Sequence, residues 1–260
     1  MKIAAVGDNC MDVYKNLDQA FPGGNPVNVA VYFKRLGESA SYTGAVGTDR
    51  YGALMKKALQ EKGLDVSRLK VLEGSTAVTQ VELIDGERVF GDYDEGVLSQ
   101  FCLDESDLAF IAEHDLMHTG IWGMMEDYLE AVQEAGVPVS FDFATKLDDP
   151  MVERVIAHVD YAFFAYDQDD AMIREFLEAI WRKGPKMAVA TLGENGSLAY
   201  DGSRFYEYGI ISTKVVDTMG AGDSYIAGFM KGVLESKTIP ECMELGAWNA
   251  METLKYTGAW

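Results

Sequence analysis

Between Asp104 and Leu192 one local pattern recurs four times, a helical stretch followed by a short strand-forming run. The periodicity predicts helix 104–113 before strand 115–121 and helix 124–135 before strand 137–143. It then predicts helix 149–158 before strand 160–165, and helix 169–183 before strand 186–192. Strands joined through helices run the same way, and a parallel sheet needs helices on both faces. The predicted fold class is α/β, a doubly wound, mostly parallel sheet. Upstream, Lys2–Val6 and Ser41–Val46 read as strands, and helices open near Pro26 and Asp49, stopped by Gly37 and Gly63. Helices 221–235 and 240–256 close the chain. Hairpins are predicted around Asp85-Gly86 and Asp201-Gly202. The first of them predicts a small β flap around 76–96 on a single domain spanning 1–260. Gly7–Asp12 and Phe21–Asn25 read as loops.

With 260 residues, 48% of them hydrophobic, the chain can bury a large core and is not a disordered protein. Its formal charge of −20, from 42 acidic and 22 basic residues, argues against nucleic acid and anionic membranes as partners. No apolar run reaches the length of a membrane span, and the N-terminus lacks a signal-peptide layout. Cys10, Cys102 and Cys242 are odd in number and far apart, so a reduced, cytoplasmic setting is expected. Oligomeric state is not legible, and a homodimer is left open.

The chemistry concentrates in Asp217-Thr218-Met219-Gly220-Ala221-Gly222-Asp223, between the β-branched run Thr213–Val216 and a helix. Small residues opening a helix let several backbone N–H groups converge on one anion, which the helix dipole also favours. Asp223 falls in the first turn, beside that cradle. A carboxylate there is unfavourable unless it accepts a proton, which suggests phosphoryl transfer. The alternative is an ordinary capped helix. Neither G-x-G-x-x-G nor G-x-x-x-x-G-K-[ST] occurs, which argues against a dinucleotide-binding oxidoreductase and a Walker-type loop.

Together with Gly23-Gly24-Asn25-Pro26-Val27-Asn28 and the early segment ending in Asp12, this motif resembles the ribokinase (PfkB) family of carbohydrate kinases, over the whole chain. Within the family the likeness is strongest to members acting on fructoselysine. It rests on Gly7–Asp12, Arg88–Tyr93 with Glu95-Gly96, Ile121-Trp122-Gly123 and Gly258-Ala259-Trp260. The resemblance implies a ribokinase-like fold and a kinase that uses ATP and Mg²⁺. The γ-phosphoryl group would pass to a primary hydroxyl, with fructoselysine as the expected acceptor. Another sugar, a sugar acid or a nucleoside stays open as acceptor, as does a catalytically weak sugar-binding protein. By resemblance Asp223 is the catalytic base, and Gly220, Ala221 and Gly222 form the anion hole. Asp12, Gly23, Gly24 and Asn28 match positions around the sugar. Thr191, Gly193, Asn195 and Gly196 resemble a nucleotide-binding turn, although a plain β-turn at Asn195-Gly196 reads equally well.

Fructoselysine adds a carboxylate and an ammonium group to the sugar. Arg88 is expected to take the carboxylate, Asp92, Asp94 and Glu95 the ammonium, and Trp122 to cover the sugar or its aliphatic stem. The alternative pairs Arg88 with Glu82 across the hairpin. Three departures from the family pattern stand out. Ala165–Asp170 lacks the Asn of the metal-organising Asn-x-x-Glu, leaving Gln168 or Asp169 as substitutes and the metal residues unknown. Asp142–Lys146 only loosely resembles Asp-x-Asn-x-Arg, with Lys146 facing phosphate or solvent. Asp12 and Gly23 are eleven positions apart, so flap strands between them are expected to be short or missing.

Overall fold

The structure, a computed structural model, describes residues 1–14, 19–84 and 87–260, and the side chains of 83–90 lie outside that description. The chain begins β1 (Lys2–Val6), β2 (Cys10–Tyr14), β3 (Gln19–Gly23), α1 (Asn25–Arg35), β4 (Ser39–Thr43), β5 (Ala45–Gly47) and α2 (Arg50–Glu61). It continues through β6 (Lys70–Leu72), β7 (Val78–Ile84), β8 (Glu87–Asp94), α3 (Glu105–Ile111), β9 (Leu116–Gly120), α4 (Leu129–Glu134), β10 (Val139–Asp142) and α5 (Pro150–Val155). It ends with β11 (Tyr161–Ala165), α6 (Ala171–Trp181), β12 (Met187–Thr191), β13 (Ser197–Tyr200), β14 (Phe205–Tyr208), α7 (Ala221–Leu234) and α8 (Ile239–Thr253).

Eight strands build the central sheet in the order β14-β13-β12-β11-β10-β9-β1-β4. Only the β12–β13 and β13–β14 pairings are antiparallel. Along β1, Ala4 and Val6 enter one core while Ile3 and Ala5 enter the opposite one. β11 divides in the same way, Ala162 and Phe164 against Phe163. An uninterrupted apolar run split residue by residue between two cores is what a sheet covered on both faces requires. Each large side chain so buried contributes about 1.5–3 kcal/mol. The doubly wound α/β expectation is therefore met.

The flap is larger than the hairpin suggested. β7 and β8 join β2 and β3 in a four-stranded sheet, in the order β3-β2-β7-β8. The segments read as loops at Gly7–Asp12 and Phe21–Asn25 thus carry two short strands. Their polar and glycine-rich composition concealed a pairing that β7 supplies from 60 and more residues downstream, through partners such as Asp12↔Thr79. Pro22 is tolerated because β3 is the edge of its sheet.

Other boundaries moved for local reasons. Ser41–Val46 is divided at Gly44, where a Cβ would meet the Tyr42 hydroxyl at 2.2 Å, and β5 leaves to pair with β6. Helix 124–135 starts only at Leu129, after Met124 turns at φ 56°. Thr213–Val216 forms no strand: Val215 and Val216 are exposed, and the Val216 N–H bonds to Leu254 O instead of a sheet.

α7 and α8 pack through glycines. A Cβ at Gly228 would stand 2.4 Å from Leu245 O, on a backbone that cannot yield locally. Gly228→Ala is expected to destabilise by about 1–3 kcal/mol, lowering Tm by roughly 2–4 °C per kcal/mol. Thermal unfolding checks this, and an unchanged Tm would show that the two helices separate freely.

Candidate active site

α7 begins with Gly220 as its N-cap in the left-handed region, φ 73°. A Cβ there would lie 2.2 Å from the Tyr32 hydroxyl, so glycine is required for both conformation and space. The preceding loop is tied down on two sides. Asp217 accepts from the N–H of Met219 at 3.0 Å and of Gly258 at 2.7 Å. The Ala221 N–H bonds to Thr218 O and the Ser224 N–H to Gly220 O. The N–H groups of Gly220, Gly222 and Asp223 have no acceptor among the described residues. Gly222 faces open space, with nothing within 4 Å of its would-be Cβ. Three orphan donors beside an empty volume make an anion cradle.

Asp223, third residue of α7, is only partly exposed and held by two amides. Asn25 Nδ2 donates to its Oδ1 at 2.8 Å and Asn28 Nδ2 to its Oδ2 at 2.7 Å. Both come from the first turns of α1, and that helix starts where it does because of Gly24. There φ is 111°, and a Cβ would meet Asn9 Cα at 2.6 Å. Asn25 Nδ2 also donates to Asp142 Oδ2 at 2.8 Å. Burial, and then the charge of Asp223, push the Asp142 carboxyl up to about 7. The same two causes push up Asp8, in the loop after β1, to about 7. Asp223 itself rises to about 6, because burial outweighs the two amide hydrogen bonds. A carboxylate tuned upward in the helix turn that carries those orphan donors can accept a proton near neutral pH.

Asp12 is buried in mid β2, on the cross-strand row Phe21–Asp12–Thr79–Tyr93 of the flap. Gly23 leaves room for it, since a Cβ there would lie 3.1 Å from Asp12 Oδ2. Tyr93 connects this row to the main site: after burial, the charge of Asp8 is the largest cause raising its phenol. Trp122 follows β9 and is half exposed. Its turn packs against the loop that carries Asp8, as Gly7 leaves only 2.6 Å between a Cβ and Gly123 Cα. The Arg88 side chain lies outside the described residues. In register Arg88 stands opposite Leu83, while Glu82 stands opposite Val89. Asp94 accepts from the Gly96 N–H at 2.9 Å, and Asp92 and Glu95 are exposed.

The predicted nucleotide turn follows β12. Gly193 and Gly196 both have positive φ, and Asn195 Nδ2 donates to Asp167 O at 2.8 Å. No hydrogen bond joins Thr191, Gly193, Asn195 or Gly196 to Asp223 among the described residues. Nearby, Asp169 is committed to Arg174 (2.7 Å) and Asp170 caps α6 through the Ile173 N–H. That leaves Asp167 and Gln168 facing solvent. Lys146 is exposed. Among the described residues no group of three or more His, Cys, Asp or Glu side chains is arranged to hold a metal.

Asn25, Asp8 and His118 join the site without a sequence signal that marks them. Asn25 lay inside a quoted motif, but nothing local shows that one amide bridges two carboxylates. His118 lies in a buried strand run and carries no sequence signal.

The family model of pfkB family carbohydrate kinases matches residues 13–260. The chain belongs to the pfkB family. It is accordingly a carbohydrate kinase, a phosphotransferase with an alcohol group as acceptor. Fructoselysine 6-kinase of Shigella flexneri is 45% identical over 258 residues, 99% of each chain. Fructosamine kinase FrlD of Bacillus subtilis is 36% identical over all of this chain and 93% of its own. Arabidopsis thaliana ribokinase, solved with ribose and ATP, superimposes with a TM-score of 0.88 at 22% identity, covering 99% of this chain and 93% of that one. The ribokinase-like fold of pfkB enzymes is thus present across the chain. No helix among the described residues is long and apolar enough to cross a membrane.

Proposed function

We propose that this pfkB enzyme transfers the γ-phosphoryl group of ATP to the 6-hydroxyl of fructoselysine. The chemistry rests on one observation: Asp223 sits in the first turn of α7, beside three N–H groups that have no acceptor among the described residues and the open face of Gly222. The choice of sugar is supported by the 45% identity with a fructoselysine 6-kinase over 99% of both chains. Asp12, Gly23, Gly24 and Asn28 hold the sugar hydroxyls, and Asp223 takes the proton of the attacking hydroxyl. The N–H groups of Gly220, Gly222 and Asp223 cradle the transferred phosphoryl group, Ala221 lining the cradle with its own N–H already bonded to Thr218 O, and the turn at Thr191–Gly196 receives the nucleotide. Mg²⁺ would travel with the ATP phosphates and neutralise developing charge, with Asp167 and Gln168 the free polar groups after β11. Arg88 takes the carboxylate of the lysine moiety and Trp122 covers its stem.

The test is ADP release with Mg-ATP against fructoselysine, fructose, ribose and nucleosides. Fructoselysine is expected to give the highest kcat/KM, and excess EDTA to abolish it. Arg88→Ala is expected to raise KM for fructoselysine more than for fructose. A higher kcat/KM for any other sugar overturns the substrate, and equal losses for both sugars remove Arg88 from its role.

A further inference from the structure

Each amide that holds Asp223 has a ring nitrogen behind its oxygen. His118 Nε2 lies 3.1 Å from Asn25 Oδ1, and Trp260 Nε1 donates to Asn28 Oδ1 at 2.8 Å. An asparagine side chain can present either its oxygen or its NH₂ to a neighbour at nearly the same shape. With a donor at its oxygen, only the NH₂ can face Asp223. We propose that His118 and Trp260 are positioning residues, locking Asn25 and Asn28 in the orientation that gives Asp223 two donors.

The tautomer follows from the contacts. Burial pushes the imidazole of His118 down to about 3, so it is neutral and carries one N–H. Its Nδ1 lies 3.0 Å from Ser140 Oγ. Were the proton on Nδ1, Nε2 and Asn25 Oδ1 would be two acceptors facing each other. The proton is therefore on Nε2, and the Ser140 hydroxyl donates to Nδ1. The relay then runs Ser140, His118, Asn25, and divides to Asp223 and Asp142. The second relay is shorter, Trp260, Asn28, Asp223. Trp260 is itself seated by its neighbourhood, with Lys62 Nζ 5.2 Å from its ring centroid and Ala259 O accepting from the Tyr32 hydroxyl.

The consequence falls on the base. Asp223 is faced by Asp8 from the loop after β1, by Asp142 at the end of β10 and by the Tyr32 phenol from α1. Around it the amides of Asn25 and Asn28 are the donors opposing burial. Freeing either amide to turn its oxygen inward removes a donor, and the base then holds its proton to higher pH, by roughly one unit per donor lost.

The inference rests on the reading of Asp223 as base but not on the identity of the sugar. The experiment is the pH profile of kcat/KM, by ADP release, on whichever sugar the wild type accepts, so failure of the substrate assignment leaves it intact. Trp260→Phe keeps an aromatic ring and loses the N–H, and His118→Leu loses the donor to Asn25. Both are expected to move its acidic limb upward by about one unit, which lowers kcat/KM about 2-fold at pH 7 and up to about 10-fold below pH 6, with the loss vanishing at high pH. His118→Gln, which retains an N–H at the Nε2 position, is expected to restore the wild-type limb. Trp260 is only partly buried, so its variant tests the lock even where His118→Leu fails to fold. A lowered Tm with an unmoved acidic limb in Trp260→Phe overturns the proposal in favour of packing alone.

Discussion

Asp223→Asn is expected to lower turnover at least about 10²-fold, the low end for loss of a general base, while sugar binding changes less. The substitution keeps the shape of the side chain and removes its ability to take a proton. It also sets an NH₂ group against Asn25 or Asn28, each of which donates in the wild type at 2.8 and 2.7 Å. The fold does not depend on this contact, since α7 is anchored by its buried face and by α8. ADP release gives kcat, and sugar titration of the variant gives binding. A variant turning over near the wild-type rate would remove Asp223 from the chemistry. The pH dependence has a definite sign. The base works deprotonated, and burial raises it to about 6, so kcat/KM of the wild type levels off above about 7 and falls as pH drops through about 6. The fall should approach tenfold per pH unit for one titrating base. Asp8 and Asp142, both raised to about 7, repel Asp223, and their own protonation eases that repulsion within the same range.

Gly222→Val should lower activity by a comparable factor, at least about 10²-fold, the scale for damaging one oxyanion-type donor. Its effect on the fold should be small. Nothing lies within 4 Å of the added Cβ, and the residue sits in a helix, where valine is no worse than glycine. The side chain instead occupies the space that the orphan N–H groups face. Gly220→Ala is the informative contrast. Its backbone is left-handed and its Cβ would collide with the Tyr32 hydroxyl, so it should lose stability together with activity. Thermal unfolding beside ADP release separates the two. Full activity in Gly222→Val would reduce the cradle to a helix start.

Much of the frame was legible in local signals. Gly37 and Gly63 ended helices at positive φ, Asp49 capped α2 through the Gly52 N–H, and the alternation from Asp104 onward produced neighbouring parallel strands. The placement of Asp223 in the first turn of α7 was legible because the signal is contiguous in sequence: small residues, a helix start and an acid within seven positions. The flap was half legible. The turn predicted at Asp85-Gly86 lies outside the described residues, but the strands on either side of it, β7 and β8, are paired as that signal implied, whereas β2 becomes a strand only because β7 pairs with it. The alternative that pairs Arg88 with Glu82 across the hairpin is not matched by the register, which sets Arg88 opposite Leu83 and Glu82 opposite Val89.

By itself, then, the sequence determined what is short-range: the period of each element, where helices start and stop, and the glycine–acid motif that begins α7. Only the tertiary structure decided what surrounds Asp223. Asn25 and Asn28 arrive from α1, Asp142 from β10, His118 from β9 and Trp260 from the C-terminal segment, across separations of up to 232 residues. The physical reason is that a proton acceptor is tuned by desolvation and by donors in three dimensions. Both depend on which strand ends the sheet brings together, and no local pattern encodes that.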